Sequence, residues 1–172
     1  MTATAKHHAI SRARELESVF TGIARHRMAG LPLLNPALRV EAIGFVPAVD
    51  STTPADPPGA MGVLVTPWFM NLVWFPLTRG DGDGDAQVGA TRLRMLGTQQ
   101  FAFIGAHEDQ FGSFEACSMF SPMFEFADHA AAHATATALL HALREKPKAT
   151  GLPVAARRSF LLGRGATRER AA

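Results

Sequence analysis

The amino-terminal part of the chain carries apolar residues at the spacing of an amphipathic helix. Leu16, Phe20 and Ile23 recur every three to four positions among polar and charged neighbours, so they fall on one face of a helix. Gly30 follows, a residue type that commonly ends helices. The pattern predicts a first helix over about residues 11–29.

Later segments are rich in β-branched and aromatic residues and have the composition of strands. A Gln110-Phe111-Gly112 turn separates the last two of them, which predicts a hairpin. The predicted strands span residues 39–46, 61–65, 72–75, 91–96, 101–107 and 113–120.

One long uncharged run needs a separate interpretation. Residues 59–78 contain no charged side chain and are long enough to cross a bilayer. Pro67 and Pro76 interrupt the run, however, and Asn71 lies within it. Two buried strands joined at the Thr66-Pro67 turn therefore fit the run better than a membrane helix.

A second helix is predicted near the carboxyl end of the apolar sequence. Asp128 is a suitable N-cap, and the alanine-rich sequence after it favours a helix to about Glu145, before Pro147. The order of helix, strands and helix predicts an α+β fold with a mostly antiparallel sheet of about five to six strands.

The length and composition indicate one globular domain. A chain of 172 residues is long enough to bury a core without disulfides. We expect a flexible N-terminus over residues 1–10, a single domain over 11–164 and a basic flexible tail over 165–172. The net charge of +2 gives no indication of nucleic-acid binding. The single cysteine, with no apolar secretory signal near Met1, predicts a cytoplasmic protein without a membrane span.

A calcium site is not predicted, although three aspartates alternate with glycines. Asp81, Asp83 and Asp85 resemble the start of a calcium-binding loop, but Ala86 and Arg92 occupy the positions where that loop requires Gly and Glu. We interpret this segment as a flexible loop.

The histidines and the cysteine give no recognisable catalytic or metal motif. His129 and His133 share a helix face, but Ala130 stands where a zinc-protease helix carries Glu. We interpret these residues as surface histidines, and Cys117 as a small core residue. We therefore predict no catalytic residue, no metal, no cofactor and no enzymatic activity. A metal-handling protein or enzyme that uses Cys117 and the histidines remains the alternative.

Two aromatic clusters, each bent by a proline, are the strongest indication of function. The first spans residues 66–72 and the second spans residues 120–126. Aromatic and Met side chains are usually core residues, but those crowded into turns are difficult to bury, and they suit a groove for an apolar segment. Core and groove both remain open. The candidate partner-binding residues are Trp68, Phe69, Met70, Asn71, Phe120, Met123, Phe124, Glu125 and Asp128.

The charge distribution suggests what such a groove would bind. Residues 106–143 contain no Lys or Arg, whereas residues 144–172 contain six Arg and two Lys. A basic and apolar peptide would complement the second aromatic cluster. The acidic residues of the first stretch are Glu108, Asp109, Glu115, Glu125 and Asp128.

Six segments of the chain together form a specific pattern. They are Ile23-Ala-Arg25 with Met28, Leu31-Pro-Leu-Leu-Asn-Pro36, Val40-Glu-Ala-Ile-Gly-Phe45, Gly62-Val-Leu-Val-Thr-Pro-Trp-Phe-Met-Asn-Leu72, Cys117-Ser-Met-Phe-Ser-Pro-Met-Phe-Glu-Phe-Ala-Asp128 and Arg157-Arg-Ser-Phe-Leu-Leu-Gly163. These segments resemble one known family, the HybE/HupJ-type [NiFe]-hydrogenase assembly chaperones. The similarity extends from about Leu16 to Arg164.

The resemblance implies a maturation factor that binds the hydrogenase small subunit, including its twin-arginine signal peptide, until cofactors are in place. The large subunit or another accessory factor is the alternative client. Some relatives carry a fused rubredoxin module. One cysteine cannot form a four-thiolate iron site. Any redox or oxygen-protection role would therefore require a separate partner, such as a rubredoxin.

Overall fold

Two helices and six strands form the part of the chain that a computed structural model describes, residues 3–48, 57–78 and 88–145. The predicted α+β fold is confirmed. The Gly-Asp loop and the tail over 165–172 lie outside the described residues. The elements are α1 (Ala3–His26), β1 (Glu41–Ala48), β2 (Gly59–Val65), β3 (Met70–Pro76), β4 (Thr91–Leu96), β5 (Gln99–Glu108), β6 (Gly112–Phe120) and α2 (His129–Arg144).

The strands form one antiparallel sheet with the order β1-β2-β3-β6-β5-β4. After β3 the chain crosses to the far edge of the sheet and returns through β4 and β5, so that β6 pairs with β3. Met70 at the start of β3 therefore lies opposite Phe120 at the end of β6. This crossing brings together two turns that are far apart in the sequence.

The β2–β3 hairpin is buried on both faces of the sheet. Ala60 and Leu64 belong to the core beneath α1, whereas Met61 and Val63 belong to the core beneath α2. A strand covered on both sides excludes charged side chains, which explains the uncharged run. The two-strand interpretation of that run is confirmed. Among the described residues, no helix is long and apolar enough to cross a membrane.

The first helix begins at Ala3, eight residues before the predicted start, and ends at His26. Its early turns are held in place by Ala9, which is fully buried, and by Arg12. The Arg12 guanidinium lies 4.0 Å from the centre of the Phe111 ring and donates to the Phe111 carbonyl oxygen at 3.2 Å. Periodicity of large apolar residues missed these turns, because an alanine and an arginine make the contacts.

The second helix follows the prediction closely. The Asp128 carboxylate accepts a hydrogen bond from the Ala131 backbone at 2.8 Å, as an N-cap does. Ala132, Ala136 and Leu140 then face the sheet. Small residues at the first two of these positions let α2 pack closely over β1 and β2.

Gly97, in the turn between β4 and β5, allows close packing of the end of α2. Its φ is +63°, and an added Cβ would lie 2.0 Å from the Leu143 carbonyl oxygen. Gly89 has a similar φ of +83° but open space around it. A substitution at Gly89 therefore introduces backbone strain alone, whereas one at Gly97 introduces backbone strain and a steric conflict.

We expect Gly97→Ala to destabilise the fold by about 3 kcal/mol or more, because left-handed strain of about 1–2 kcal/mol adds to displacement of α2. Gly89→Ala should show the strain alone. Chemical denaturation of both variants measures the difference. Equal losses of stability would contradict the close packing of α2 on this turn.

Candidate partner-binding site

Three irregular segments meet at one end of the sheet. They are the loop over residues 31–36, the turn over 66–69 and the segment over 121–126. The pairing of β3 with β6 brings the last two together, and the Ser121 hydroxyl donates to the Trp68 carbonyl oxygen at 3.4 Å. The two predicted aromatic clusters are therefore neighbours in the fold.

Asn35 connects all three segments. Its backbone N–H donates to the Pro67 carbonyl oxygen at 2.8 Å. Its side-chain amide donates to the carbonyl oxygens of Met123 and Phe126 at 3.0 and 2.8 Å. The side-chain oxygen accepts from the Ala37 backbone at 3.0 Å. Asn35 is buried, and the two bonds from its side-chain amide are buried as well. An unmade bond at such a place is costly.

Thr66 shapes the first aromatic turn. Its hydroxyl oxygen accepts from the backbone N–H groups of Trp68 and Phe69 at 3.2 and 2.9 Å. The Trp68 ring then meets the Phe69 ring edge-on at 5.5 Å, and Phe69 meets Phe20 of α1 at 5.9 Å. Both turn aromatics are half-buried and held in defined orientations.

The predicted binding residues divide into core and surface. Met70 and Met123 are fully buried beneath the turns, and Phe120 packs edge-on against Phe126 at 5.3 Å. Phe124, by contrast, is 58% exposed. Asn71 is partly buried, and its side-chain oxygen has no hydrogen-bond partner among the described residues. The groove hypothesis therefore loses Met70 and Met123 as contact residues and keeps the exposed aromatics.

Leu31 and Leu33 are surface residues that the sequence reasoning did not select. They are 41% and 38% exposed and lie on the loop that Asn35 anchors. A signal was available, because leucines in a short proline-containing loop have no regular face to bury. We use the name three-turn surface for Leu31, Leu33, Trp68, Phe69, Phe124 and Glu125.

The acidic field expected around the second cluster is smaller than the sequence suggests. Glu115 is 1% exposed and forms a bidentate ion pair with Arg94, at 2.5 and 2.9 Å. The Arg94 guanidinium also lies 3.5 Å from the centre of the Trp74 ring. Glu108 is 2.6 Å from Arg27. These two carboxylates are neutralised within the fold and do not attract a basic peptide.

Glu125 is the carboxylate best placed for a partner. It is exposed, follows Phe124 directly and makes no ion pair in the described structure. Asp128 is also exposed, but one of its oxygens caps α2, where the positive end of the helix dipole offsets part of its charge. The site thus presents one free carboxylate and one shared carboxylate beside an apolar surface.

The histidine interpretation is wrong for His129. This side chain is buried, and its Nε2 lies 2.6 Å from an oxygen of Glu41 on β1, while its Nδ1 accepts from the Arg39 backbone at a long 3.4 Å. His133 reaches the same Glu41 oxygen at 3.2 Å. Glu41 could not be identified as the partner from the α2 sequence alone.

This cluster fastens α2 to β1 and does not have the arrangement of a metal site. Among the described residues, no group of three or more His, Cys, Asp or Glu side chains is placed to hold a metal ion. A metal on Nε2 of His129 would require a proton on Nδ1, where the Arg39 N–H already donates.

Two pKa shifts accompany these environments. Burial raises the pKa of Glu41. The hydrogen bonds and the charges of His129 and His133 together lower it by a larger amount, so the net pKa lies below its ordinary value. Burial raises the pKa of the Cys117 thiol. A thiol held in its protonated form is a poor nucleophile, which agrees with the packing of Cys117 against the α2-side core.

Comparison with known proteins identifies the family. Residues 11–163 match the family described as "[NiFe]-hydrogenase assembly, chaperone, HybE". The chain is 49% identical over 163 residues to Protein HoxT of Cupriavidus necator, with 90% of each chain covered. This chain belongs to the HybE family of [NiFe]-hydrogenase assembly chaperones. The resemblance inferred from its motifs is confirmed.

Two further similarities support the membership of this HybE-family chain. It is 37% identical over 159 residues to the hydrogenase expression/formation protein HupJ of Bradyrhizobium diazoefficiens, covering 86% of this chain and 85% of that protein. The solution structure of HybE from Escherichia coli matches with a TM-score of 0.52 and 21% identity over 91% of each chain. The latter shows a shared fold.

The Glu41 cluster gives a testable pH dependence for the HybE-family chain. Because the folded pKa of Glu41 is lowered, its contribution to stability is present above the ordinary value of 4.5 and is lost as the pH falls through the folded pKa. Glu41→Gln should cost about 1 kcal/mol at pH 7, and the deficit should shrink as the pH falls below 4.5 and through the lowered folded pKa of Glu41. Urea unfolding across this range is the measurement, and a deficit independent of pH would contradict the assignment.

The neighbours Met123 and Phe124 test the division between core and surface. Met123→Ala should reduce the free energy of unfolding by about 2–5 kcal/mol, because a fully buried side chain leaves a cavity. Phe124→Ala should change it by less than about 0.5 kcal/mol. Thermal unfolding of the two variants distinguishes them, and comparable losses would place Phe124 in the core.

Proposed function

We propose that this chaperone holds the hydrogenase small subunit in the cytoplasm by binding its twin-arginine signal peptide at the three-turn surface. The peptide would be released when cofactor insertion and assembly are complete. Binding without chemistry is sufficient for this role. The observation that carries the proposal is the exposure of Phe124 directly beside Glu125, on a segment fixed by Asn35.

The chemistry of the surface matches the chemistry of the peptide. A twin-arginine signal combines two guanidinium groups with an apolar stretch. Glu125 and the free oxygen of Asp128 can accept guanidinium hydrogen bonds, which are strong because both groups are charged. Leu31, Leu33 and Phe124 provide exposed apolar area for the stretch that follows.

The rigidity of the surface also supports binding. Asn35 and Thr66 fix the backbone of the surrounding turns through buried or partly buried hydrogen bonds. A surface that is ordered before binding loses less conformational entropy when the peptide arrives. The half-buried Trp68 is suited to be a binding hot spot, since large aromatics at the centre of an interface often carry much of its energy.

Calorimetric titration with the small subunit, with and without its signal peptide, tests the proposal. The form lacking the signal should bind at least tenfold more weakly. Equal affinities would transfer the contact to the folded subunit surface. Binding of the large subunit alone would favour that subunit as the client.

Charge-removing variants test the carboxylates separately from the helix cap. Glu125→Gln should weaken signal-peptide binding by about fivefold and reduce its dependence on salt, because one charge-assisted contact is lost. Asp128→Asn removes the charge but keeps an N-cap, whereas Asp128→Ala removes both and should cost about 1 kcal/mol of stability. A Glu125→Gln protein with unchanged affinity and salt dependence would exclude Glu125 from the site.

A further inference from the structure

The carboxyl-terminal part of this chain contains the same residue types as the proposed client. Arg157 and Arg158 are adjacent, and Phe160, Leu161 and Leu162 follow after a single serine. A pair of guanidinium groups therefore precedes an apolar stretch, as in a twin-arginine signal. This segment lies outside the described residues, but it is inside the region, residues 11–163, that matches the HybE family.

We propose that residues 157–163 occupy the three-turn surface of their own chain as an internal mimic of the signal peptide. In this arrangement the arginine pair meets Glu125 and Asp128, and the apolar residues cover Phe124 and its neighbours. The client peptide then has to displace the segment. The regulatory part of this inference rests on the proposed function, whereas the occupancy of the surface can be measured without any client.

The chain is long enough to make this contact. Helix α2 begins beside the three-turn surface at Asp128 and runs 16 residues away from it, a distance of about 24 Å. The twelve residue steps from Glu145 to Arg157 span about 40 Å when extended. The segment can therefore return along the molecule to the surface with length to spare.

The charges of the two parts are complementary. Glu108 and Glu115 are already paired with arginines of the fold, and the exposed Asp109 lies on the turn between β5 and β6. Glu125 and part of Asp128 are therefore the carboxylates at the three-turn surface for an incoming cation. Neither the two helices nor the sheet covers the exposed apolar residues Leu31, Leu33 and Phe124. A tethered segment with two cations followed by three apolar residues complements both the available carboxylates and the exposed apolar area.

Tethering makes even a weak contact effective. A connection of this length gives an effective concentration on the order of 1 mM, so a segment with an intrinsic Kd of about 0.1 mM would mask the site about tenfold. Such a contact protects the apolar surface when no client is present and still yields to a longer signal peptide.

The experiment compares full-length variants by backbone amide NMR without any client. Arg157→Gln with Arg158→Gln, and separately Phe160→Ser, should shift the resonances of residues 31–35 and 121–126. The control Arg168→Gln with Arg170→Gln removes the same charge outside the segment and should leave them unchanged. Site resonances that respond to none of the variants, or equally to the control, would overturn the proposal.

Two added measurements separate this inference from the proposed function. With a synthetic twin-arginine signal peptide, the Arg157→Gln, Arg158→Gln protein should bind about tenfold more tightly than wild type. Peptide binding at the surface with unmoved resonances overturns the tail contact alone. Moved resonances without peptide binding support the contact and count against the signal-peptide function. Shifts that depend on protein concentration place the segment on a second copy and overturn the intramolecular contact.

Discussion

The β2–β3 hairpin has to be buried on both of its faces, and the other elements are arranged to achieve this. Every residue of β2 is buried, which requires one helix on each side of the sheet. Helix α1 covers one face with Ala9, Leu16 and Phe20, and α2 covers the other with two alanines and two leucines. Hydrophobic burial at this scale is the main favourable term in folding. The helices stand on opposite faces because neither alone could satisfy the hairpin.

The same arrangement leaves one end of the sheet with irregular chain. Three segments end there, and their backbone polar groups need partners. Asn35 supplies several of them at once, with bonds to Pro67, Met123 and Phe126. Asn35 and the buried methionines anchor the backbone of these turns. The outer side chains are therefore exposed but start from a fixed backbone. Such a surface is suited to reversible recognition.

An assembly chaperone has to bind its client and later release it. The three-turn surface has a modest apolar area and one fully available carboxylate, which suits a contact that is specific but not permanent. Three other carboxylates hold the fold together: Glu115 neutralises Arg94 inside the sheet, Glu108 pairs with Arg27, and Glu41 contacts two histidines. These carboxylates therefore differ from Glu125, which is exposed and makes no ion pair in the described structure.

Local sequence was sufficient for the strands, for both ends of α2 and for the family. Alternation and turn residues are local properties, so β4 was predicted over its full extent, and Asp128 was identified as an N-cap. The motif around Cys117–Asp128 indicated the chaperone family, which the matches confirm. These features depend on neighbours within a few positions, and a sequence contains that information directly.

Only the tertiary structure decided which members of the aromatic clusters face outward and which charges are free. Met123 and Phe124 are adjacent and both apolar, yet one is fully buried and the other is exposed. The partners of His129 and Glu115, which are Glu41 and Arg94, come from other elements. The early start of α1 depends likewise on Phe111, 99 residues from Arg12. Burial and ion pairing are set by contacts between distant parts of the chain, and hydrophobic pattern alone does not specify those contacts.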